Sequence, residues 1–277
     1  MTTELTVRRL SIDLDTPVPR HWCGGDAFRT ALFNALSMSF PAGEQLFIDS
    51  VKKGLAALPA ERREAFGGEV QGFIGQEATH RRVHERFNAH LAAQGLVNHW
   101  ERRIAARRKR LLEPVNEPRA WVGVTAATEH WTAIFAQHLL AHPWLLQGAE
   151  PRLVALWQWH SAEELEHRST AFDLYRALGG NEKWRKRLFR IVSFNFVLDT
   201  ARQTVNNLWR DGTLFKPGTW ASAWRTLFGR EGLVRCSVKP WREYLRPTFH
   251  PQQGDGSGGQ RWLAANAALV PPVRQPA

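Results

Sequence analysis

Four glutamates and three histidines recur in this chain at spacings that would place them on the facing sides of four helices. They are Glu44, Glu77, His80, Glu129, His160, Glu164 and His167. Residues three, four or seven apart share one face of an α-helix, so Glu77 would point the same way as His80, and the last three residues would also share a face. One glutamate from each of two helices, with a Glu-x-x-His pair from each of two others, is the ligand set of a dinuclear metal site in a helix bundle.

The chemistry of this set favours two metal ions. Four carboxylates would be neutralised by two divalent cations, and neutral imidazoles would complete the coordination without adding charge. Mixed carboxylate and imidazole ligands suit iron or manganese, whereas a thiolate-rich site would favour zinc or an iron–sulfur cluster. We expect two ions of iron, with manganese and zinc as alternatives. Glu44 and Glu129 are predicted to be the single-carboxylate ligands, and Glu77 and Glu164 the better candidates to bridge.

Helical segments that could hold these residues are delimited by prolines and glycines. A helical pattern begins near Ala27, and Pro41 is predicted to start a new helix that carries Glu44 and ends before Pro59. A second helix follows Pro59 and ends near Gly95, because glycine commonly terminates helices. A short basic helix is expected over about 98–112, and Glu129 should lie in a helix of about 118–141.

The remaining sequence predicts further helices and a flexible end. One helix of about 151–178 should carry His160, Glu164 and His167, and two or three more should fill 181–245. No segment alternates as a strand would, so we predict an all-α protein. We divide the chain into an irregular segment over 1–26, a single helical metal-binding domain over 27–250 and a flexible, Gly- and Pro-rich tail over 251–277.

Composition limits the cellular setting. The 277 residues are 43% hydrophobic and 23% charged, which is ordinary for a globular protein. The two cysteines, Cys23 and Cys236, are isolated, so a reducing cytoplasm is the expected location. The first ten residues lack the apolar core of a signal peptide, and no apolar run reaches the length of about 18 residues that a membrane span requires.

A net charge of +11 and 13 tryptophans are the unusual features of the composition. The charge would favour anionic partners, although no pattern indicates specific nucleic-acid binding. Tryptophan beside arginine and lysine over 220–242 could form an interfacial face that contacts the inner surface of the membrane. The simpler interpretation, which we prefer at this stage, is a solvated basic surface with tryptophan used for packing.

The order Glu, Glu-x-x-His, Glu, Glu-x-x-His resembles the ferritin-like di-iron carboxylate superfamily. With His160 added, the His-x-x-x-Glu-x-x-His segment is similar to that of di-iron N-oxygenases that oxidise arylamines. The segments Gln76-Glu77-x-x-His80-x-x-x-His84 and Leu245-Arg-Pro-Thr-Phe-His-Pro251 resemble a bacterial family of predicted metal-dependent hydrolases. These resemblances cover roughly residues 20–251. They imply a ferritin-like four-helix bundle with additional C-terminal helices.

Three further residues are candidates to support the ligands. In ferritin-like enzymes an acid in the position of Glu163 often orients a ligand histidine, which implies a hydrogen bond to His80; a surface salt bridge is the alternative. His84 shares the face of His80 and could replace His160 as the third imidazole, act as a supporting donor or proton relay, or be structural. Asp173 could accept a hydrogen bond from a ligand imidazole, or face solvent.

Three functions are compatible with this site. The leading hypothesis is an oxidoreductase that uses dioxygen to oxidise or hydroxylate a small organic substrate, because a third imidazole would tune oxygen chemistry rather than serve iron storage. Such an enzyme would need an external electron donor. The alternative is two-metal hydrolysis of a phosphate or a carboxylic ester or amide. A non-catalytic metal-binding scaffold is the third. A homodimer is compatible with each.

Overall fold

A computed structural model describes residues 5–273, and this part of the chain is all-α, as predicted. Its extended pairing is limited to two isolated bridges, Arg8 with Pro272 and Cys23 with Ala149. The α-helices are α1 (Ala27–Ala56), α2 (Ala60–Ala93), α3 (His99–Arg107), α4 (Pro118–Ala141), α5 (Pro151–His167), α6 (Thr170–Ala177), α7 (Glu182–Arg210), α8 (Pro217–Phe228), α9 (Leu233–Tyr244) and α10 (Ser257–Ala265). A π-helical turn, Arg108–Leu112, continues α3.

Four helices, α1, α2, α4 and α5, enclose the centre of the molecule. Helix α1 packs along α2, and α4 packs along α5, while α7 lies against both α1 and α4. Several helix ends lie at the residues that the sequence indicates. Pro118 occupies the first turn of α4, Asn181 accepts a hydrogen bond at the start of α7, and Gly95 terminates α2 with a φ of 86°.

The predicted break at Pro41 is wrong, because α1 continues through this proline. Proline lacks the N–H that would bond to the carbonyl of Ser37. That carbonyl instead accepts a hydrogen bond of 2.9 Å from the side-chain amide of Asn88 on α2. A neighbouring helix therefore supplies the missing donor, and Glu44 lies in the second half of one long helix.

The single helix predicted over 151–178 is divided at Arg168 and Ser169 into α5 and α6. The guanidinium of Arg168 turns back to donate to the carbonyl of Leu165 and also donates to the carbonyls of Pro251 and Gly254. These contacts hold the interruption directly after His167, the last of the seven candidate ligands.

The flexible tail predicted from residue 251 is also wrong for the residues that the structure describes, 251–273. This segment forms α10, which packs against α5, and the side chains of Leu263 and Val270 are buried in the main core. A glycine-rich sequence permits this packing because Gly259 lies against the backbone of Ala162, where a Cβ would approach the carbonyl oxygen to 2.9 Å. Residues 274–277 lie outside the described part, as do residues 1–4.

Helix α7 has an unusual distribution of polar and apolar residues. Six of its eight buried residues are polar: Arg185, Ser193, Asp199, Gln203, Thr204 and Asn207. Its exposed large hydrophobic residues are Trp184, Ile191, Phe194, Val197, Val205 and Trp209. Among residues 5–273, this helix and the others lack a stretch that is long and apolar enough to span a bilayer.

Candidate metal centre

The structure brings all seven candidate ligands together at the centre of the four enclosing helices. Helix α1 carries Glu44, α2 carries Glu77 and His80, α4 carries Glu129, and α5 carries the remaining three. Each of the seven residues is at most 3% exposed. Four carboxylates buried this deeply without a counter-charge would be costly, so their grouping requires a chemical explanation.

The seven residues form two groups. Within each group, the ligand atoms lie within 4.8 Å of one another. One group comprises Glu77, Glu129, Glu164 and His167, and the other comprises Glu44, His80 and His160.

The carboxylate of Glu164 lies between these groups. Its Oε1 atom is 3.2 Å from Nε2 of His160, 3.5 Å from Nε2 of His167 and 3.7 Å from Nδ1 of His80. This is the position that a bridging carboxylate would need.

Each of the three candidate histidines has one ring nitrogen held from outside the centre. Nε2 of His80 is 2.9 Å from Glu163, and Nδ1 of His167 is 2.9 Å from the amide oxygen of Gln76. Nδ1 of His160 is 3.0 Å from His84. The second nitrogen of each ring faces the other candidate ligands. Metal-binding histidines show this arrangement, in which an outer hydrogen bond fixes the ring and leaves one nitrogen for the metal.

The inward-facing atoms lack hydrogen-bond partners within residues 5–273. They are both carboxylate oxygens of Glu44, Glu77 and Glu129, Oε2 of Glu164, Nδ1 of His80, and Nε2 of His160 and His167. Buried polar atoms are nearly always hydrogen-bonded, so a concentration of unpaired ones marks a place where another group belongs. The donor set of oxygens and imidazole nitrogens fits two divalent metal ions.

The electrostatics of the centre reflect the same crowding. Burial raises the pKa of Glu44 well above its ordinary value, and the carboxylates of Glu77 and Glu164 raise it further. Burial and the charge of Glu164 raise the pKa of Glu129 to about 7. Burial would also raise the pKa of Glu164, but the imidazoles of His167 and His160 lower it well below its ordinary value. Without a bound cation, Glu44 and Glu129 therefore keep their protons to a higher pH than exposed glutamates would.

An outer layer of polar residues supports the histidines, and it includes two residues that we had not predicted. Glu163 contacts His80, as its position implies. Its other oxygen accepts a hydrogen bond of 3.2 Å from Arg8, which also binds Glu166 at 2.7 Å. Gln76 holds His167 and donates to Glu166 at 2.9 Å. Adjacency to Glu77 was a signal for Gln76, but Arg8 lies far away in sequence and gave none.

The other two predicted supporting residues have different outcomes. His84 contacts His160 through one nitrogen and Ser37 through the other at 2.8 Å, and Ser37 donates to the partly exposed Asn88. His84 is therefore an outer partner of His160, with both nitrogens occupied. The supporting role considered for Asp173 is wrong, whereas the solvent-facing alternative is closer to the structure: its carboxylate is 31% exposed and pairs with His250 at 2.7 Å. It contacts none of the ligand histidines, because α6 begins after the turn at Arg168.

Two apolar cavities with common wall residues lie beside this centre. The outer cavity, about 170 Å³, lies between α1, α3, α4 and α7 and is lined mainly by aliphatic and aromatic side chains. The inner cavity, about 30 Å³, reaches His160 and Glu164. The two share Phe40, Thr132 and Phe196 as wall residues, and the ring of Phe40 stacks on His160 with centroids 4.4 Å apart.

The match to a known family agrees with this geometry. The family model of the predicted metal-dependent hydrolases matches residues 6–255. The chain belongs to this family. No curated protein and no solved structure matches the chain. The resemblance to predicted metal-dependent hydrolases expected from the sequence is therefore confirmed, and the matched range includes Arg8, in the outer layer, all seven candidate ligands and α9.

This member of the predicted metal-dependent hydrolases also has a separate, smaller group of possible ligands. Nitrogen atoms of His138 and His142 and the sulfur of Cys236 lie within 4.8 Å of one another. The sequence had given no reason to connect them, because Cys236 comes from α9, about a hundred residues later. Any measurement of bound metal must distinguish this group from the central one.

Proposed function

We propose that the chain is a dinuclear metal-dependent hydrolase that cleaves a carboxylic ester or amide with an apolar acyl group. The observation that carries the proposal is the set of seven buried side chains with unpaired ligand atoms, contributed by four helices. The match to the predicted metal-dependent hydrolases supports hydrolysis as the reaction class. Two bound divalent ions would lower the pKa of a water molecule and polarise the substrate carbonyl.

The protein itself would hold and orient the reacting groups. Glu163, His84 and Gln76 fix the three imidazoles from outside, so their inner nitrogens stay directed at the centre. Both oxygens of Glu44, Glu77 and Glu129 remain available, because none of them is engaged by a hydrogen bond within the described chain. The surrounding aromatic rings exclude bulk water, which strengthens electrostatic interactions in the site.

The apolar cavities favour a substrate with a hydrophobic portion. An acyl group in the outer cavity could pass Phe40 and Phe196 and bring its carbonyl carbon to the inner cavity beside Glu164. In the inner cavity, the hydroxyls of Thr132 and Ser161 are the polar groups besides the candidate ligands. A cavity with mostly apolar walls and a few polar groups at the reacting end is typical of small-molecule sites.

The second candidate function is oxidation or hydroxylation of an organic substrate by dioxygen at a di-iron centre. Its specific support is the third imidazole, His160, which adds nitrogen ligation to an otherwise ferritin-like ligand order and resembles the arylamine N-oxygenases. An oxygenase would require an external electron donor. Both candidates use the same residues and the same apolar cavity, and they differ in the native metal.

One experiment with parallel arms separates the candidates. The Cys236→Ser protein is used throughout to remove the second possible metal group. Apo protein is loaded without oxygen with zinc, manganese or ferrous iron, and bound metal per chain is counted. Each form is then tested for cleavage of p-nitrophenyl esters of increasing chain length, and the ferrous form is exposed to dioxygen while its visible spectrum is recorded.

We expect two metal ions per chain and ester cleavage that improves with acyl length. Glu164→Ala should lose metal and activity, whereas the matched control Glu85→Ala, at a half-exposed position on α2, should retain both. A visible band after oxygen, with no cleavage under any metal, would replace hydrolysis by the oxygenase function. Failure to bind two ions at the centre would refute both candidates.

A further inference from the structure

The apolar outer face of α7 is not explained by packing against the other described residues, 5–273. Its six exposed residues, given above, are each at least 42% exposed. The polar residues on the inner face have partners there: the Gln203 amide oxygen accepts from two backbone N–H groups of α3, and Ser193 accepts from the indoles of Trp131 and Trp241. A surface helix normally shows the opposite arrangement, so the outer face of α7 is adapted to an apolar environment.

The apolar surface continues from α7 through the next loop to α8. The ring of Trp209 lies 6.0 Å from that of Phe215, which is 81% exposed. On α8, Trp220, Trp224 and Phe228 recur every four residues and are all exposed. We call these residues the α7–α8 surface: Trp184, Ile191, Phe194, Val197, Val205, Trp209, Phe215, Trp220, Trp224 and Phe228.

Positive charge surrounds the α7–α8 surface. Between residues 182 and 242, all of which the structure describes, eleven exposed side chains are basic and only Glu231 is both acidic and exposed. The basic residues are Lys183, Arg187, Arg190, Arg202, Arg210, Lys216, Arg225, Arg230, Arg235, Lys239 and Arg242. Exposed Trp and Phe interleaved with Lys and Arg are typical of helices that lie in the interface of an anionic membrane.

We propose that the α7–α8 surface binds peripherally to lipid bilayers that contain anionic lipid. Two copies of this chain would not pair through the same surface as readily, because a symmetric contact would place the basic residues against one another. Within the segment 220–242, for which we preferred tryptophan as packing, Trp220 and Trp224 are more than half exposed, as is Trp209 on α7.

The position of the outer cavity gives this surface a function. Leu111 and Ile191 line the cavity and are also exposed, and Ile191 belongs to the α7–α8 surface. The cavity therefore opens beside the proposed membrane contact, where an apolar substrate could enter from the bilayer. This consequence rests on the proposed function, whereas membrane binding itself does not.

Vesicle flotation with the full chain tests the proposal without any turnover. We expect binding to vesicles of phosphatidylcholine and phosphatidylglycerol in about equal amounts, at least tenfold weaker binding to phosphatidylcholine alone, and release by high salt. Phe215→Ser with Trp224→Ser should reduce binding about tenfold or more. Arg187→Gln with Arg190→Gln should do the same for the anionic vesicles.

The matched control is Arg63→Gln with Arg82→Gln, which removes the same charge from exposed positions on α2 and should change binding less than twofold. Circular dichroism verifies that each variant is folded. Absence of binding to anionic vesicles, or equal losses in the control, would overturn the proposal. A dimer in analytical ultracentrifugation that the serine variant dissociates, without vesicle binding, would assign the surface to a second copy of the chain.

Discussion

The metal centre and helix α7 both place polar residues inside the protein, but most of those in α7 are hydrogen-bonded and many of those in the centre are not. In α7, Gln203 and Arg185 are paired with backbone carbonyls or amides of the chain. In the centre, the carboxylates of Glu44, Glu77 and Glu129 face one another without such partners. Paired buried groups fix a structure, whereas unpaired ones indicate a missing ligand. In α7, it is the exposed apolar residues of the outer face that lack packing partners among the described residues.

The largest effect expected from this comparison is the loss of a paired buried charge. The guanidinium of Arg185 donates to the carbonyls of Tyr244 and Arg246. Arg185→Met would remove the donor to the Tyr244 carbonyl and leave the Arg246 carbonyl with only the backbone N–H of Phe249. We expect the free energy of unfolding to fall by about 3 kcal/mol or more in urea titrations. Arg187→Met, the same change at an exposed site of the helix, should cost at most about 0.5 kcal/mol. Equal effects would contradict the distinction.

The unpaired charges of the centre should make the stability of the metal-free protein depend on pH. The pKa of Glu129 is raised to about 7 from 4.5, so the folded state binds this proton more tightly than the unfolded state. The resulting stability is complete below about pH 4.5 and is lost as pH rises through about 7. We expect Tm to fall by several degrees over this interval in chelator, and not after metal loading. The same fall with metal present would show that the centre does not bind it.

Outer support of the histidines should have a moderate effect on metal affinity. Gln76→Ala removes the acceptor that holds His167, and we expect metal binding to weaken by 10–100-fold in competition titrations with a chelating dye. Gln71→Ala, on the exposed side of the same helix, is the control and should bind metal as the unaltered protein does. Unchanged affinity in Gln76→Ala would mean that the outer layer does not position the ligands.

The smallest effect should come from the outer face of α7. Phe194 is 68% exposed, so Phe194→Ser should change the free energy of unfolding by less than about 0.5 kcal/mol. Phe189, five residues earlier and fully buried, should cost about 3 kcal/mol or more when changed to serine. Denaturant titration of both variants tests this directly. A large loss at Phe194 would show that this face is packed in solution rather than free for a membrane.

Local sequence signals predicted the helices well where the cause of a helix end is itself local. Pro59 and Gly95 bracket α2, and Pro118 begins α4. The failures have distant causes. Helix α1 continues through Pro41 because Asn88, on another helix, donates to the carbonyl that the proline leaves free. Periodicity carries no information about such contacts.

The residues of the candidate site also divide into those predicted from local spacing and those that depend on distant contacts. Helical spacing selected the five central residues of α2 and α5, because i, i+3, i+4 and i+7 positions share a face whatever surrounds them. Glu44 and Glu129 have no such partner on their own helices and were predicted from the ferritin-like order of the ligands. The outer layer depends on which helices and loops meet. Asp173 was one candidate for this layer, yet the turn at Arg168 places it against His250 instead. Arg8 joins the layer from 155 residues before Glu163.

The pairing of the two ends of the described chain has a consequence for biosynthesis. The backbone of residues 7–11 bonds to that of residues 269–273, and this contact holds the segment that presents Arg8 to Glu163. During synthesis, residues 7–11 can form these backbone hydrogen bonds only after residues 269–273 have been made. The support of His80 by Glu163 and Arg8 is therefore completed only after residue 273 has been synthesised, so we expect stable metal insertion to follow that point.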